Sequence, residues 1–231
     1  MADIQLDALH AAAEPLLAQG LPVLPVQTDV SDPDAVDLLA ARTVDTFGAV
    51  HLVCNNAGVT TNGRTWELDL EDWRWVIDVN LWGVIHGINT FVPLLIEQGE
   101  GHMVNTSSMA GVGILNNLAP YLASKHAIAA VSEGLAAELA EAGSPVGVSV
   151  LCPGAVRTKI LTSARNREAG AGRSQPIPEE VVELIDQGLE PAAVAEMVVD
   201  AVRQQRFWIF THPGMLGLVE HRLRRMLEGY R

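Results

Sequence analysis

Basic residues are scarce in this chain of 231 amino acids. Lys and Arg number 15 against 28 Asp and Glu, the formal net charge is −13, and no basic residue precedes Arg42. An acidic chain repels a phosphate backbone and has no basic arm to release its counterions. The lack of early positive charge also argues against a secretory signal. We therefore expect no nucleic-acid partner and a cytoplasmic location.

Cysteines and long apolar runs are also few. Cys54 and Cys152 lie far apart, each in a Val/Leu run, which favours buried, reduced thiols over a disulfide or a metal site. The most apolar stretch, 81–96, falls short of the roughly 20 residues of a membrane span. Neither the histidine spacing of a metalloprotease nor the G-x-S-x-G of a serine hydrolase occurs. The sequence thus predicts no metal, no membrane span and no serine-hydrolase site.

What the chain has is a regular alternation of apolar segments and helical patterns. With 48% hydrophobic and 19% charged residues, it can bury the core of one domain over residues 1–231. The patterns predict strands at 23–28, 50–54, 102–106, 146–152 and 207–211. They predict helices near 9–20 and over 33–47, 70–97, 119–142 and 191–204. This order is typical of a doubly wound α/β fold, a parallel sheet between two helical layers.

Polar or glycine-rich clusters follow the predicted strands. They are Asp29, Asn55–Gly58, Asn105–Ser108 and Pro153–Gly154. In such sheets ligands bind beyond the carboxyl ends of the strands, so we expect the chemistry along that edge. The long segment 158–190 should form a mobile substrate lid. Its arginines, Arg165 and Arg167 among them, favour an anionic or bulky substrate, with an ordinary solvated surface as the alternative.

A tyrosine and a lysine four residues apart begin the helix predicted at 119–142. At this spacing Tyr121 and Lys125 project from one helix face. An ammonium near a phenol favours the phenolate, which would make Tyr121 a proton shuttle near neutral pH. Ser108 closes the preceding strand, where its hydroxyl could polarise a substrate carbonyl. Together these residues indicate acid/base chemistry on a carbonyl or an alcohol.

Five ordered motifs make this interpretation specific. They are Asn55-Asn56-Ala57-Gly58, Asn80, Ser107-Ser108, Tyr121-Leu-Ala-Ser-Lys125 and Pro153-Gly154-Ala-Val-Arg-Thr158. In this order the chain resembles the short-chain dehydrogenase/reductase family, which has a Rossmann-like fold. The resemblance implies an oxidoreductase that moves a hydride between a nicotinamide cofactor and an alcohol or ketone carbon of a small substrate, without a metal. It also implies a homodimer or homotetramer.

The resemblance implies a role for each matching residue. Tyr121 is the catalytic acid/base, Lys125 lowers its pKa and holds the nicotinamide ribose, Ser108 orients the carbonyl, and Asn80 supports a proton-relay water. The implied cofactor-binding residues are Asp3, Asp29, Val30, Asn56, Ala57, Gly58, Tyr121, Lys125, Pro153, Gly154, Val156 and Thr158. Asp3 corresponds to an acid that accepts hydrogen bonds from a ribose diol and repels the extra phosphate of NADP, which favours NAD.

One feature of the family is missing from the sequence. The family's first strand is followed by a Thr-Gly-x-x-x-Gly-x-Gly turn, whereas Met1–Ile4 here resembles the end of the second strand. We therefore expect an N-terminally truncated sheet whose strand at 23–28 lacks the neighbour that joins it to the strand at 50–54. Two explanations stay open: a start placed downstream of the true one, or a degenerate member with an altered cofactor site. A non-catalytic scaffold unable to bind a dinucleotide is the alternative function.

Overall fold

The computed structural model describes residues 1–167 and 170–229, and it is an α/β structure built on parallel strands. The strands are Ala2–Asp3 (β1), Val26–Gln27 (β2), Leu52–Asn55 (β3), His102–Thr106 (β4), Gly147–Cys152 (β5) and Trp208–Phe210 (β6). The helices are Leu6–Leu17 (α1), Pro33–Phe47 (α2), Leu70–Ile77 (α3), Gly83–Gln98 (α4), Ala119–Glu141 (α5), Glu179–Asp186 (α6), Pro191–Arg203 (α7) and Leu216–Glu228 (α8). The predicted fold class is confirmed.

The strands form two parallel sheets. β3, β4, β5 and β6 pair in chain order, while β1 and β2 form a separate pair. Within the described residues no ladder joins the two sheets. The predicted strand at 23–28 does have a neighbour, since Val26 pairs with Ala2. It is only two residues long, and Pro22 and Pro25 explain this because proline cannot donate to a ladder.

Sequence signals at the ends of α2 act as expected. Pro33 occupies the first turn, and the Asp32 carboxylate caps the helix by accepting a hydrogen bond from the Asp34 amide at 3.0 Å. Gly48 ends the helix with φ of 82°, a left-handed conformation that glycine adopts without strain. The prediction of a helix over 33–47 is confirmed.

The predicted helix at 70–97 is interrupted in its middle. α3 and α4 are joined by a π-helical turn at Asp78–Trp82, which contains the buried Asn80. The whole run, Leu70–Gln98, is long and apolar enough to cross a membrane by length and composition, unlike the shorter run 81–96 read from the sequence. Phe91 and Leu95 of α4 belong to the main hydrophobic cluster of the domain. We therefore describe this run as a core helix.

Burial differs between the edge strand and the central strands. β5 is buried over Val148–Cys152, as a strand covered on both faces should be. In β3, by contrast, Val53 is buried whereas Leu52 and Cys54 are exposed. The prediction of a buried thiol is right for Cys152 and wrong for Cys54. The reason is that β3 packs one face on the core and leaves the other face open.

Two helices have no counterpart in the sequence predictions. α6 lies inside the predicted lid, and α8 follows the last strand. The base of the lid is closed by a short parallel bridge between Val156 and Leu189, reinforced by an ion pair of Arg157 with Glu190. The two ends of the segment between these residues are therefore held together.

Candidate active site

The candidate site begins where β4 ends against β5. The Ser107 amide donates to the Leu151 carbonyl at 2.8 Å, and the Met109 amide donates to the Pro153 carbonyl at 2.9 Å. Ser108 lies between these anchors and accepts a hydrogen bond from the Ala110 amide at 3.0 Å. Its hydroxyl is thus held at the carboxyl edge of the sheet, as predicted.

Tyr121 and Lys125 face this edge from the first two turns of α5. The Lys125 Nζ lies 5.6 Å from the centre of the Tyr121 ring and donates to the Thr106 carbonyl at 2.7 Å. Ser107 fixes the same helix by donating to the Lys125 carbonyl at 2.7 Å. Ser108 lies near enough to the Tyr121 side chain to lower the pKa of its phenol. The structure therefore brings Ser108, Tyr121 and Lys125 together.

Burial governs the pKa values of this group. It raises the pKa of Tyr121 above its usual range, an effect that the hydrogen bond from Ser108 partly opposes. It also lowers the pKa of Lys125 to about 8, because the ammonium is removed from water. The expected lowering of the tyrosine pKa by the lysine is not seen in this structure, where Lys125 Nζ is bound to the Thr106 carbonyl. Both side chains are therefore biased towards their neutral forms.

A buried amide connects the π turn to this cluster. Asn80 is 0% exposed; its Oδ1 accepts from the Val59 amide at 2.8 Å, and its Nδ2 donates to the Val59 carbonyl at 3.0 Å and to Ser124 Oγ at 3.1 Å. Ser124 in turn donates to the Tyr121 carbonyl at 2.8 Å. π turns interrupt regular helices and often occur at functional sites. Here the turn contains the residue that joins loop 58–59 to the helix carrying the tyrosine.

Replacing Lys125 with methionine is expected to stabilise the folded protein. The side chain is 3% exposed, and its folded-state pKa lies below that of an unfolded lysine, so the buried charge costs stability below pH 8. An apolar side chain of similar length avoids that cost, and we expect a gain of about 1–3 kcal/mol at pH 7. Between pH 8 and the unfolded value of about 10.4 the gain should shrink as the wild-type lysine deprotonates.

Urea unfolding across this pH range checks the expectation. Lys159→Met is the matched control, because Lys159 is the only other lysine and is exposed. An equal stabilisation by both substitutions, or a gain from Lys125→Met that does not depend on pH, would contradict it.

A close backbone approach holds the site together at Gly111. A Cβ there would overlap Ser107 Oγ and lie 2.6 Å from the Lys125 carbonyl oxygen, so the hydrogen bond between them would be lost. Gly111→Ala is expected to lower the free energy of unfolding by about 1–3 kcal/mol. Gly134→Ala is the control: it lies in α5 with open space around it and should stabilise by about 0.5–1 kcal/mol. Similar effects of both substitutions in thermal unfolding would refute the argument.

Several of the predicted cofactor residues lie next to the cluster. Thr106 Oγ1 donates to Asn56 Oδ1 at 3.1 Å. Ala57 connects Asn56 to Gly58, and a Cβ added to Gly58 would lie 3.6 Å from Lys125 Nζ. On the other side, a Cβ on Gly154 would collide with His212 and Met215. Both glycines thus occupy places where the backbone comes close to other groups.

The remaining cofactor predictions lie further from the cluster. Asp3 ends β1 and accepts a hydrogen bond from the Gln5 amide at 2.8 Å. Asp29 accepts from the Ser31 amide and hydroxyl at 2.9 and 2.7 Å, and Val30 packs on Gly83 of α4. Val156 packs on the core beside the lid base, whereas Thr158 is exposed. No hydrogen bond or ion pair joins Asp3 or Asp29 to the catalytic cluster within the described part of the chain.

Sequence reasoning missed a buried ion pair beneath the lid. Arg167 Nη1 donates to Asp72 Oδ1 at 2.6 Å, with exposures of 8% and 0% for the two side chains. Asp72 also accepts from the Arg173 amide at 2.8 Å, and the Arg167 guanidinium lies over the Trp75 ring at 4.9 Å. No local signal in the sequence could pair residues 95 positions apart.

A cavity of about 500 Å³ opens beside this ion pair. Its lining includes Thr60 from the loop after β3, Trp75 from α3, and Leu161, Arg167, Gln175 and Ile177 from the lid. It is therefore enclosed by the lid on one side and by the loop that contacts Asn80 on the other.

Comparison with known proteins identifies the family. A model of the short chain dehydrogenase family matches residues 1–169. The chain is 38% identical over 218 residues to a 1-deoxy-11-beta-hydroxypentalenate dehydrogenase of Streptomyces exfoliatus, covering 92% of this chain and 73% of that one. It is 32% identical over 191 residues to a cyclohexanol dehydrogenase of Acinetobacter sp. (strain SE19), covering 80% and 74%.

A solved structure agrees over nearly the whole chain. A short-chain dehydrogenase/reductase from Burkholderia phymatum in complex with NAD superposes with a TM-score of 0.93 at 38% identity, covering 99% of this chain and 84% of that one. Both the relatives and the fold lead to the same assignment, and the chain belongs to the short-chain dehydrogenase family.

Proposed function

We propose that this protein is an oxidoreductase that interconverts an alcohol and a ketone of a small organic substrate with a nicotinamide cofactor, using Tyr121 as the acid/base. The observation that supports this most directly is the convergence of Ser108, Tyr121 and Lys125 at the carboxyl edge of the sheet. The named activities of two relatives, a cyclohexanol dehydrogenase and a hydroxypentalenate dehydrogenase, are oxidations of the same general kind.

The residues of this cluster divide the work on the substrate oxygen. A bound nicotinamide supplies the hydride acceptor or donor. The Tyr121 hydroxyl gives a proton to the substrate oxygen in reduction and takes it back in oxidation, since a positioned phenol within hydrogen-bonding reach can act as acid or base. Ser108 Oγ donates to the same oxygen and stabilises the charge that develops there. The Lys125 side chain, whose pKa of about 8 keeps it mainly an ammonium at pH 7, favours the phenolate during oxidation.

The ends of several parallel strands offer groups for the cofactor. Lys125 and the backbone at Asn56–Gly58 would hold a ribose, and Pro153, Gly154, Val156 and Thr158 would hold the nicotinamide end. Gly58 lies beside the catalytic cluster, since a Cβ there would be 3.6 Å from Lys125 Nζ. Asp29 and Val30 would contact the adenine. The neighbour solved with NAD supports a nicotinamide cofactor in general.

We further propose NAD rather than NADP, because the Asp3 carboxylate would accept from a ribose diol and repel a phosphate. Calorimetric titration with NADH and NADPH tests the preference. We expect micromolar NADH binding that is at least about tenfold tighter than NADPH binding. Asp3→Ser should narrow this difference to about threefold or less, while Asp7→Ser, an exposed acid at the start of α1, should not change it. A folded chain that binds neither cofactor would favour the scaffold function.

Two further properties complete the proposal. The described cysteines are free, which suits a reducing cytoplasm. Exposed Trp82 and Ile96 on the α4 run, at 49% and 48%, favour a homodimer or homotetramer, the association typical of the family. The segment 158–190 is proposed as the substrate lid, apart from residues 168–169, which lie outside the described part of the chain.

A further inference from the structure

We propose that Arg167 is a substrate-specificity residue that donates a hydrogen bond to an uncharged oxygen of the substrate, such as an ester or ketone carbonyl, remote from the carbon that reacts. This inference rests on the proposed function and narrows its substrate class. It makes the lid cavity the place where the far end of the substrate binds.

The first observation is a buried, unpartnered donor on a residue that lines the cavity. Arg167 lines the cavity and its side chain is more than nine-tenths buried. Nη1 binds Asp72, but Nη2 is buried with no hydrogen-bond partner among the residues that the structure describes. A buried N–H without an acceptor is costly, so water or a ligand oxygen is needed to satisfy it. A substrate oxygen that replaces such a water keeps the hydrogen bond and releases the water.

The second observation is the rigid mounting of this donor. The guanidinium contacts the Asp72 carboxylate and the Trp75 ring. Gly172 lies so close that a Cβ there would overlap Nη1 and Nη2 of Arg167. A donor fixed in this way loses little conformational entropy when a ligand binds. The geometry therefore favours recognition of one acceptor atom.

The local charges select an uncharged acceptor. Asp72 already neutralises Arg167, and Asp69 and Glu71 add two more carboxylates to the same end of α3. Among the described residues, the exposed side chain of the nearby Arg173 pairs only with Asp69, at 4.0 Å. A substrate carboxylate at Nη2 would therefore meet a net negative environment, whereas a carbonyl oxygen would receive a hydrogen bond without an unfavourable charge.

One short stretch of chain links the lining of the cavity to the catalytic cluster. Gly58 approaches Lys125 Nζ, Val59 is bound on both its amide and carbonyl by Asn80, and Thr60 lines the cavity. Two residues span at most about 7 Å. Ser163 of the lid closes this stretch by accepting from the Thr60 amide at 3.1 Å. The proposal therefore requires a substrate that spans from the cluster at one end of this stretch to the cavity at the other.

The test uses a series of linear methyl ketones that end in a methyl ester, with chains of increasing length between the two functions. Each ester is matched with a plain methyl ketone of equal length and with the free keto acid. Dissociation constants come from quenching of tryptophan fluorescence in the presence of NAD, which cannot reduce the ketone, with Trp75→Phe identifying the local reporter. The proteins are wild type, Arg167→Lys and Arg165→Lys. Lysine keeps a cation opposite Asp72, and Arg165 is an exposed lid arginine bound to Gln5.

At the best length we expect wild type to bind the ester about tenfold more tightly than the plain ketone. Arg167→Lys should reduce this preference to about twofold or less, and Arg165→Lys should preserve it. The inference is overturned if no length shows an ester preference, if Arg167→Lys retains it, or if the free acid binds more tightly than the ester. Turnover is measured separately: ester preference without turnover would refute the proposed function alone, and turnover without ester preference would refute this inference alone.

Discussion

Tyr121→Phe is expected to lower kcat/KM for oxidation of secondary alcohols by about 10²- to 10⁴-fold, because the substitution removes the group that exchanges the proton. NADH binding and the thermal unfolding midpoint should change little. The fold uses the Tyr121 backbone, whose carbonyl accepts from Ser124 Oγ, and it makes little use of the hydroxyl. A panel of secondary alcohols assayed at saturating NAD checks the rate.

A substitution beside Tyr121 is the control for indirect effects on the rate. Ser108→Ala removes the hydroxyl near the phenol and should cost less than Tyr121→Phe, since the proton donor remains. Rates of Tyr121→Phe within threefold of wild type across the panel would show that another group moves the proton, and the assignment of Tyr121 would be wrong.

Asp72→Ala is expected to lower the free energy of unfolding by about 3–5 kcal/mol at pH 7, since it leaves the buried Arg167 without its counter-charge. Asp72 is fully buried and receives hydrogen bonds from the Arg167 side chain and from the Arg173 and Asp69 amides. Asp45→Ala, an exposed acid on α2, is the control and should change stability by no more than about 0.5 kcal/mol. Urea unfolding at equilibrium measures both.

The pH dependence of this effect has a definite sign. Burial alone would raise the pKa of Asp72, but the hydrogen bonds from Arg167 and the two amides more than offset it, and the pKa is lowered. Because the unfolded state then binds more protons, the stability that Asp72 contributes is fully present above the unfolded value of about 3.9 and is lost as the pH falls through the lower folded value. The difference between wild type and Asp72→Ala should therefore be constant from neutral pH to about pH 5 and shrink below about pH 4. A difference that grows on acidification would contradict the ion-pair account.

Much of the fold follows from local signals. The Asp32-Pro33 start and the Gly48 end of α2 act within a few residues of chain, so their physics is legible in the sequence. The exposure of Cys54 could not be predicted from the sequence, because it depends on which face of β3 packs against other elements. The π turn at Asp78–Trp82 was also missed, since a helical pattern of apolar residues does not reveal one extra residue in a turn.

Some residues of the candidate site could be predicted from the sequence, whereas others depend on tertiary packing. Ser108, Tyr121 and Lys125 belong to ordered motifs, and their convergence follows from the parallel sheet. The Asp72–Arg167 pair joins α3 to the lid across 95 residues, and a pairing of that kind depends on tertiary packing. Ser124 lies inside the Tyr121-Leu-Ala-Ser-Lys125 motif, yet its bond to Asn80 becomes apparent only once helix α5 is placed beside the π turn.

The closed base of the lid has a consequence for how substrate range can change. Because Val156 and Leu189 bridge, and Arg157 and Glu190 pair, the two ends of the segment between them are held together, which fixes where the segment leaves β5 and where it enters α7. The entropy of closing such a loop grows slowly with its length, by about 0.6 kcal/mol for each doubling. Changes of length in the exposed parts of this segment are therefore inexpensive, provided that the contacts of Arg167 with Asp72 and of Ser163 with Thr60 are kept.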